Sequence, residues 1–372
     1  MSLHAVKVPK WGLSMEEGAV VEWHVAEGDD IAVGDELLEV ETSKIANAVE
    51  SPVAGRVVRI VAQPGETLAV GGLLAVIAAA GGSPSAAEID DFVEAFHANF
   101  VPGGDEEEGA TAGPQTLDVD GVRISYLAAG SGEAIPLVLV HGFGGDANNW
   151  LFNLAELAIA RPVFALDLPG HGASTKTVGE GSVASLAATL LGFLDALAIP
   201  RAHLAGHSMG GAVVLEATRR APERVASLAL VASAGLGGLV NGEYLRGFIA
   251  GQSRRDMKPV LAQLFCDPSL VSRDLIEDIL KYKRLDGVTA SLETLSAGIF
   301  PGGRQTAALR GVLDDPARPA LVIWGREDRI VSPDDAHGLP GHVRVEVLDD
   351  VGHMPHMEAA GQVNRLLQEH LG

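Results

Sequence analysis

The sequence has little cysteine, few aromatic residues and a shortage of basic residues. A single cysteine among 372 residues, Cys266, excludes an internal disulfide and fits a reducing compartment, so we expect a cytoplasmic protein. Aromatic residues make up 5% of the chain, which favours cores built from alanine, valine and leucine. The net charge of −22 disfavours nucleic-acid binding, because that function requires a basic surface.

Long hydrophobic runs are missing as well. The N-terminus has no apolar segment typical of a signal peptide. A long uncharged run, 225–242, is interrupted by serine, asparagine and glycine, whereas a membrane span needs about 20 strongly apolar residues. We therefore expect a soluble protein, and this run predicts a buried strand leading into a glycine-rich loop. No metal site is predicted.

Residues 3–79 contain a duplicated pattern of short apolar runs separated by glycine. GAVVEWHVAEGDDIAVG (18–34) aligns with GRVVRIVAQPGETLAVG (55–71) at an offset of 37 residues. Such runs predict β structure, and two copies predict a pseudo-twofold pair of small sheets that bury one face against each other. ETSKIANAVES (41–51) joins the copies, so symmetry places Lys44 at an exposed turn.

Residues 80–115 are predicted to form an acidic linker. Both ends are rich in glycine, proline and serine, and the segment has eight acidic and no basic residues. Ser85 and Glu88 have the spacing of a capping box, which predicts the start of a short amphipathic helix. This helix either packs on a neighbouring domain or docks a partner. Its apolar positions are Ile89, Phe92, Val93, Phe96 and Phe100.

From residue 116 to 372, buried strand patterns alternate with helical patterns, which predicts an α/β doubly wound sheet. This rhythm breaks between about 236 and 313, where charged helical patterns predict an inserted helical cap. The predicted strands are LVLV (137–140), VFALD (163–167), AHLAGH (202–207), LALVAS (228–233), ALVIWG (320–325) and VRVEVL (343–348).

GHSMGG (206–211) follows a predicted strand and precedes a predicted helix, which is the context that a nucleophile elbow requires. Ser208 is therefore the candidate nucleophile. HGFGG (141–145) follows the strand LVLV, and in such a loop the N–H of Phe143 can point at a developing oxyanion. The N–H of Met209, next to the nucleophile, supplies the second donor.

The remaining members of a serine triad follow in the expected chain order. Asp328 lies in the loop after ALVIWG, and His353 lies after VRVEVL. A serine hydroxyl needs a base to take its proton, and a carboxylate fixes the tautomer of that base. Glu327 and His356 are the alternatives to Asp328 and His353.

Five motifs make residues 116–372 similar to the α/β-hydrolase superfamily. They are HGFGG, DLPGHGAS, GHSMGG, GREDRIV and GHMPHME. Within them, His207 is expected to pack beside the pocket, and Asp167 to shape a turn.

Residues 3–79 resemble a lipoyl domain, with Lys44 at the position of the lysine that the family modifies. The resemblance implies a flattened two-sheet β-barrel or sandwich, with lipoate in amide linkage to Lys44. Glu41 and Thr42 match the family pattern, while Ser43 replaces the more common acidic residue. Biotin carriers flank their lysine with methionines, so Ser43 and Ile45 favour lipoate.

The two domains together are similar to the dihydrolipoamide acetyltransferase (E2) family of bacterial acetoin dehydrogenase complexes. The usual E2 motif H-x-x-x-D-G is absent. The resemblance implies transfer of acetyl from dihydrolipoyl-Lys44 to CoA in acetoin catabolism, a thiamine-diphosphate-dependent E1 partner, a flavin-dependent E3 partner (dihydrolipoamide dehydrogenase) and a homo-oligomer.

Two other functions remain open: a lipoyl-tethered esterase or thioesterase, and a carrier or scaffold with an inactive hydrolase fold. Cap cations that could contact the CoA phosphates fall into two sets, Arg254, Arg255 and Lys258, or Lys281, Lys283 and Arg284. Solvated surface charge is the alternative for each set.

Overall fold

The structure is a computed structural model that describes residues 3–9, 17–41, 46–79, 84–100 and 112–372. The chain divides into two compact units, Met1–Glu108 and Gly109–Gly372. The predicted boundaries 3–79, 80–115 and 116–372 stay predictions. Within the described residues, no helix is long and apolar enough to cross a membrane.

The first unit contains two antiparallel sheets of four strands each, in the orders β1-β8-β6-β3 and β5-β4-β2-β7. Each repeat copy supplies strands to both sheets, which explains the duplicated sequence. The strands are β1 (Leu3–Lys7), β2 (Glu17–Trp23), β3 (Asp30–Ile31), β4 (Glu36–Glu41), β5 (Ala46–Glu50), β6 (Gly55–Ile60), β7 (Thr67–Ala69) and β8 (Leu73–Ala79).

Matching glycines of the two copies have matching conformations. Gly28 and Gly65 have φ values of +100° and +88°, which favour glycine because L side chains rarely adopt them. The Gly28 N–H donates to Val57 O, and the Gly65 N–H donates to Val20 O in the other copy, both at 2.8 Å. The predicted pseudo-twofold pair of sheets is confirmed.

Helix α1 (Ala86–Asn99) contains the predicted capping box. The Glu88 N–H donates to the Ser85 hydroxyl at 3.3 Å, and the Glu88 carboxylate accepts from the Ser85 N–H at 2.7 Å. These bonds satisfy donors that a helix start would otherwise leave without partners.

Helix α1 packs on the first unit, as one of the two sequence interpretations expected. It contacts β8, and Ile89 is buried. Asp90 forms an ion pair with Arg59 at 2.8 Å, and the Lys7 ammonium lies 5.6 Å from the centre of the Phe96 ring. Burying one such aliphatic side chain contributes about 2 kcal/mol, so the apolar contact outweighs an exposed ion pair.

The second unit is built on one eight-stranded sheet in the order β16-β15-β14-β13-β11-β12-β10-β9. Its strands are β9 (Ala112–Val119), β10 (Val122–Ala129), β11 (Leu137–Val140), β12 (Val163–Leu166), β13 (Ala202–His207), β14 (Val225–Val231), β15 (Ala320–Gly325) and β16 (Arg344–Leu348). Six of them match the predicted strands to within three residues at either end. These six are mutually parallel, so their carboxyl ends meet at one edge.

The antiparallel hairpin β9–β10 at the edge of this sheet was not predicted from the sequence. The start of β9 lies in the segment interpreted as linker. Its sequence, AGPQTLDV, has few apolar residues because an edge strand is only partly covered. Weak apolar patterning therefore hid the strand.

Helices flank the sheet and form the predicted cap. They are α2 (Leu151–Leu157), α3 (Val183–Ala196), α4 (Met209–Arg220), α5 (Gly242–Ala250), α6 (Arg254–Leu261), α7 (Arg273–Lys283), α8 (Val288–Ile299), α9 (Pro355–Glu358) and α10 (Ala360–Leu371). Helices α5 to α8 occupy the interval between β14 and β15 where the strand rhythm breaks. Their buried side chains belong to the same core cluster as those of the sheet.

Candidate active site

Ser208 lies in a sharp turn between β13 and α4. Its backbone has a φ of +52°, a strained conformation for a residue other than glycine. A Cβ at Gly206 would lie 2.4 Å from Gly210 O, and a Cβ at Gly210 would lie 2.3 Å from Val140 O. Gly206 and Gly210 of GHSMGG are therefore required for the turn, which is the geometry of a nucleophile elbow.

The structure brings Ser208, His353 and Asp328 together. His353 Nε2 is 3.0 Å from Ser208 Oγ, and His353 Nδ1 is 2.8 Å from Asp328 Oδ2. A carboxylate only accepts, so Nδ1 carries the proton and Nε2 is free to accept from the serine hydroxyl. The His353 side chain is 2% exposed and that of Asp328 is 0% exposed, which excludes water from this hydrogen-bonded chain.

Four donors hold the Asp328 carboxylate in place. Besides the imidazole of His353, Oδ2 accepts from Trp324 Nε1 at 3.0 Å. Oδ1 accepts from the N–H groups of Ile330 at 2.7 Å and Val331 at 3.0 Å. A buried carboxylate with this many donors is satisfied in its ionised form.

The loop after β11 leaves one of its N–H groups without an acceptor in the described part of the chain. The Gly144 N–H donates to His171 Nε2 at 3.1 Å, and the Gly145 N–H donates to Gly142 O at 3.2 Å. Within the described part of the chain, the N–H groups of Phe143 and Met209 have no acceptor. These two are the donors that the sequence predicts for an oxyanion hole.

Hydrogen bonds behind this loop fix its shape. The Asp167 carboxylate accepts from the N–H groups of Ala147 and Ala173, both at 2.8 Å. Asp167 therefore braces two turns, as the sequence reading expected. Burial and the nearby His141 keep the pKa of His171 well below its usual range, so the neutral ring can accept from the loop.

His207 does more than fill space beside the pocket. Its Nε2–H donates to the backbone carbonyl of His353 at 2.8 Å, and the two ring centres are 4.8 Å apart. Burial and the neighbouring His356 and His353 hold the pKa of His207 well below its usual range. A neutral His207 supports the backbone that carries the imidazole of His353.

His356 and Glu327, the alternatives for the triad, lie outside it. Both ring nitrogens of His356 lack a hydrogen-bond partner in the described residues, and burial lowers its pKa to about 3. Its ring packs against Trp150 with a centroid distance of 4.4 Å. The Glu327 carboxylate accepts from the Val351 N–H at 3.1 Å.

Glu358 is a site residue that was not predicted from the sequence. Its carboxylate accepts from the N–H groups of Gly352 at 2.9 Å and Met354 at 3.1 Å, on either side of His353. It also accepts from the Cys266 N–H at 2.7 Å. Burial raises the pKa of Glu358. The glutamate that ends GHMPHME was a visible signal, although nothing local indicated what it would bind.

One of the cap cations predicted as possible contacts for the CoA phosphates is not accessible to a ligand. Lys283 is buried and donates to the backbone carbonyls of Phe248, Ile249 and Gly251, so it cannot contact a phosphate in solvent. That prediction is wrong for Lys283, because its ammonium closes the C-terminal end of α5.

No metal site was predicted from the sequence. Glu22, His24 and Glu39 of the first unit can bring one ligand atom each to within 4.8 Å of one another. Glu22 and His24 are exposed, and Glu39 is partly so.

Lys44 lies outside the described residues. The strands around it are described: β4 and β5 pair antiparallel, and their last pair is Glu41 with Ala46. The attachment of lipoate to Lys44 stays a prediction.

The fold and this arrangement define a protein that joins a lipoyl-type carrier domain to a domain of the α/β-hydrolase fold. A family model described as alpha/beta hydrolase fold matches residues 135–360, and one described as biotin-requiring enzyme matches residues 4–77. A meta-cleavage product hydrolase from Pseudomonas fluorescens IP01 is similar in structure, with a TM-score of 0.62 and 26% identity, over 69% of this chain and 96% of that one.

Two relatives match nearly the whole chain. The dihydrolipoyllysine-residue acetyltransferase component of the acetoin cleaving system of Pseudomonas putida is 50% identical over 98% of this chain and 97% of its own length. The protein of that description from Cupriavidus necator is 48% identical over 99% and 97%. The chain belongs to the family of dihydrolipoyllysine-residue acetyltransferase components of acetoin cleaving systems.

Proposed function

We propose that this chain transfers an acetyl group from a dihydrolipoyl thioester to CoA through a serine acyl-enzyme. The observation that carries the proposal is the continuous hydrogen-bonded chain from Ser208 Oγ through His353 to Asp328. It occurs in a chain that also has a carrier domain. A lipoyl group in amide linkage to Lys44 would supply the thiol that presents the acetyl group.

In the first half of the reaction, Ser208 Oγ attacks the carbonyl carbon of the thioester while His353 Nε2 takes the hydroxyl proton. Asp328 keeps the proton of Nδ1 in place and stabilises the imidazolium. The N–H groups of Phe143 and Met209 donate to the oxyanion, and each such donor typically contributes about 3–4 kcal/mol to the transition state. The carbon–sulfur bond then breaks, and His353 returns the proton to the leaving thiolate.

In the second half, the thiol of CoA gives its proton to His353 and attacks the acetyl ester of Ser208. The same two N–H groups stabilise the second oxyanion. The ester bond breaks, Ser208 recovers its proton from His353, and acetyl-CoA leaves. Water could replace the CoA thiol in this half without any change of residues, so hydrolysis is the second candidate function. The similarity to a meta-cleavage product hydrolase supports that candidate.

The partners and location follow the family. We infer that a thiamine-diphosphate-dependent E1 supplies the acetyl group and that a flavin-dependent E3 reoxidises the dihydrolipoyl group. A homo-oligomer and a cytoplasmic location belong to the same proposal.

The test supplies acetyl-dihydrolipoamide to the full-length protein with and without CoA, and measures acetyl-CoA and acetate. Transfer predicts acetyl-CoA that depends on CoA, whereas acetate release indifferent to CoA would contradict it. Ser208→Ala should reduce the reaction by about 10⁴-fold or more, since the acyl-enzyme cannot form. Activity that survives this change would remove Ser208 as the nucleophile.

A further inference from the structure

The cap carries positive charge in a chain that is otherwise strongly acidic. Residues 236–313, the predicted cap, hold ten basic and eight acidic side chains, a net charge of +2, against −22 for the whole chain. Fields from such a region concentrate anions near it. The cap is therefore the part of the second unit best suited to meet a negatively charged ligand.

Three of these cations line one surface cavity of about 320 Å³. Arg254 comes from the start of α6, while Lys281 and Arg284 come from the end of α7 and the residue after it. Glu277 is the one carboxylate among the described residues of the lining. The lining thus carries a net positive charge around a space large enough for a phosphate group.

The cations of the cavity differ in how far nearby carboxylates neutralise them. Arg254 and Arg273 both form an ion pair with Glu277, and the distance from Arg273 to Glu277 is 3.0 Å. Lys281 pairs with Asp278 at 2.9 Å. Arg284 is exposed and forms no ion pair within the described part of the chain. Its guanidinium can bind a phosphate through two parallel hydrogen bonds.

A short series of contacts connects this cavity with the loop after β11 that contains Phe143, here called the oxyanion loop. Gln252 and Ser253 of the lining directly follow Gly251, whose carbonyl accepts from Lys283. Lys283 also holds the carbonyl of Phe248, and the ring of Phe248 lies 6.1 Å from that of Phe143 in the oxyanion loop. The lining residue Gln252 is therefore four residues along the chain from Phe248, whose ring packs against Phe143.

We propose that this cavity binds the phosphate groups of CoA while its thiol reaches Ser208. The inference rests on the proposed function and adds the site of acceptor recognition. CoA combines a cluster of phosphates with a thiol at the end of a long uncharged pantetheine arm, which suits a cationic cavity set apart from the nucleophile. Arg284 is the main phosphate contact, with Arg254 and Lys281 adding charge.

The test compares three acceptors that carry different phosphates: CoA, 3′-dephospho-CoA and pantetheine. In the full-length protein, Arg284→Ala should raise the KM for CoA relative to the KM for pantetheine by about tenfold, the loss expected for one charge-assisted contact. The change of KM for 3′-dephospho-CoA shows whether Arg284 contacts the 3′-phosphate or the pyrophosphate, because this acceptor lacks only the 3′-phosphate. Arg255→Ala is the matched control, because Arg255 is an exposed cap cation outside the lining.

A direct measurement accompanies the kinetics. Adenosine 3′,5′-bisphosphate should compete with CoA in the unsubstituted protein, and about tenfold less well in Arg284→Ala. An unchanged KM ratio, or an equal loss of kcat for all three acceptors, would overturn the cavity assignment while transfer itself stands. Release of acetate alone, with no acetylation of any acceptor, would instead overturn the proposed function.

Discussion

The two units place their polar groups in opposite ways. Among the described residues of the first unit, Ser51 is the only buried polar side chain, and its charged groups lie at or near the surface. The second unit buries many, including His141, Asp167, His171, His207, His353 and His356. A carrier group must be accessible at the surface of its domain. The side chains of a proton-transfer chain must instead be held in position to within a fraction of an ångström. The difference in burial follows from these two tasks.

The strongest way to test this division is to remove the carrier and leave the catalytic unit intact. Lys44→Arg keeps the positive charge but cannot accept lipoate. We expect acetyl transfer driven by the E1 partner to fall by at least about 100-fold, because a tethered substrate has a high effective concentration. Transfer from free acetyl-dihydrolipoamide, measured in the same preparation, should persist. A parallel loss of both activities would show that the two units do not work separately.

The next test weakens the buried network without touching the triad. Glu358→Ala leaves three backbone N–H groups around His353 without an acceptor. Each unsatisfied group typically costs about 1–3 kcal/mol, so we expect a lower Tm and a fall in kcat of about 10- to 100-fold with little change in KM. Glu358→Gln keeps an acceptor oxygen, so its Tm and kcat should lie between those of Glu358→Ala and those of the unsubstituted protein. A lower Tm with an unchanged kcat would make Glu358 structural only.

The buried histidines make the stability of the second unit sensitive to acid. Burial lowers the pKa of His356 to about 3 from 6.5, so below pH 6.5 the unfolded chain binds a proton that the folded chain does not. Stability is therefore lost as the pH falls from 6.5 toward 3. His356→Phe should reduce the loss in unfolding free energy between pH 7 and pH 5 by about 2 kcal/mol.

Denaturant unfolding at the two pH values measures this effect. The exposed His337, changed to Phe, is the control for replacing an imidazole by a phenyl ring. An unaltered dependence in His356→Phe would mean that this ring takes up its proton in the folded state.

The smallest effect is expected in the first unit, where charges are exposed. Arg59 and Asp90 join α1 to the sheets through an ion pair whose side chains are 34% and 56% exposed. Arg59→Ala should therefore destabilise α1 by no more than about 1 kcal/mol, less at high salt. Hydrogen exchange of residues 86–99 measures this, with Arg56→Ala as the control, since Arg56 pairs with Asp30 instead. A much larger change would mean that charge, not Ile89, holds the helix.

The sequence motifs predicted the structure correctly where function depends on a backbone turn formed by neighbouring residues. GHSMGG predicted the elbow because the crowding at Gly206 and Gly210 excludes any other residue. Prediction was poorer where partners are distant or patterning is weak. The hairpin β9–β10 was missed, and Lys283 was interpreted as a solvent-facing cation although it is buried against α5. The roles of Glu358 and His207 depend on contacts that no local pattern records.

By itself, the sequence determined the duplication of the first unit, the α/β order of the second and the chain order of Ser208, Asp328 and His353. These are local patterns of turns and strands, so they can be read without a structure. The tertiary structure decided which histidine meets the serine, which tautomer it has and which cap cations face solvent. Those features depend on groups such as Ser208 and His353, which are 145 residues apart in sequence and come within hydrogen-bonding distance only when the parallel strands align their ends.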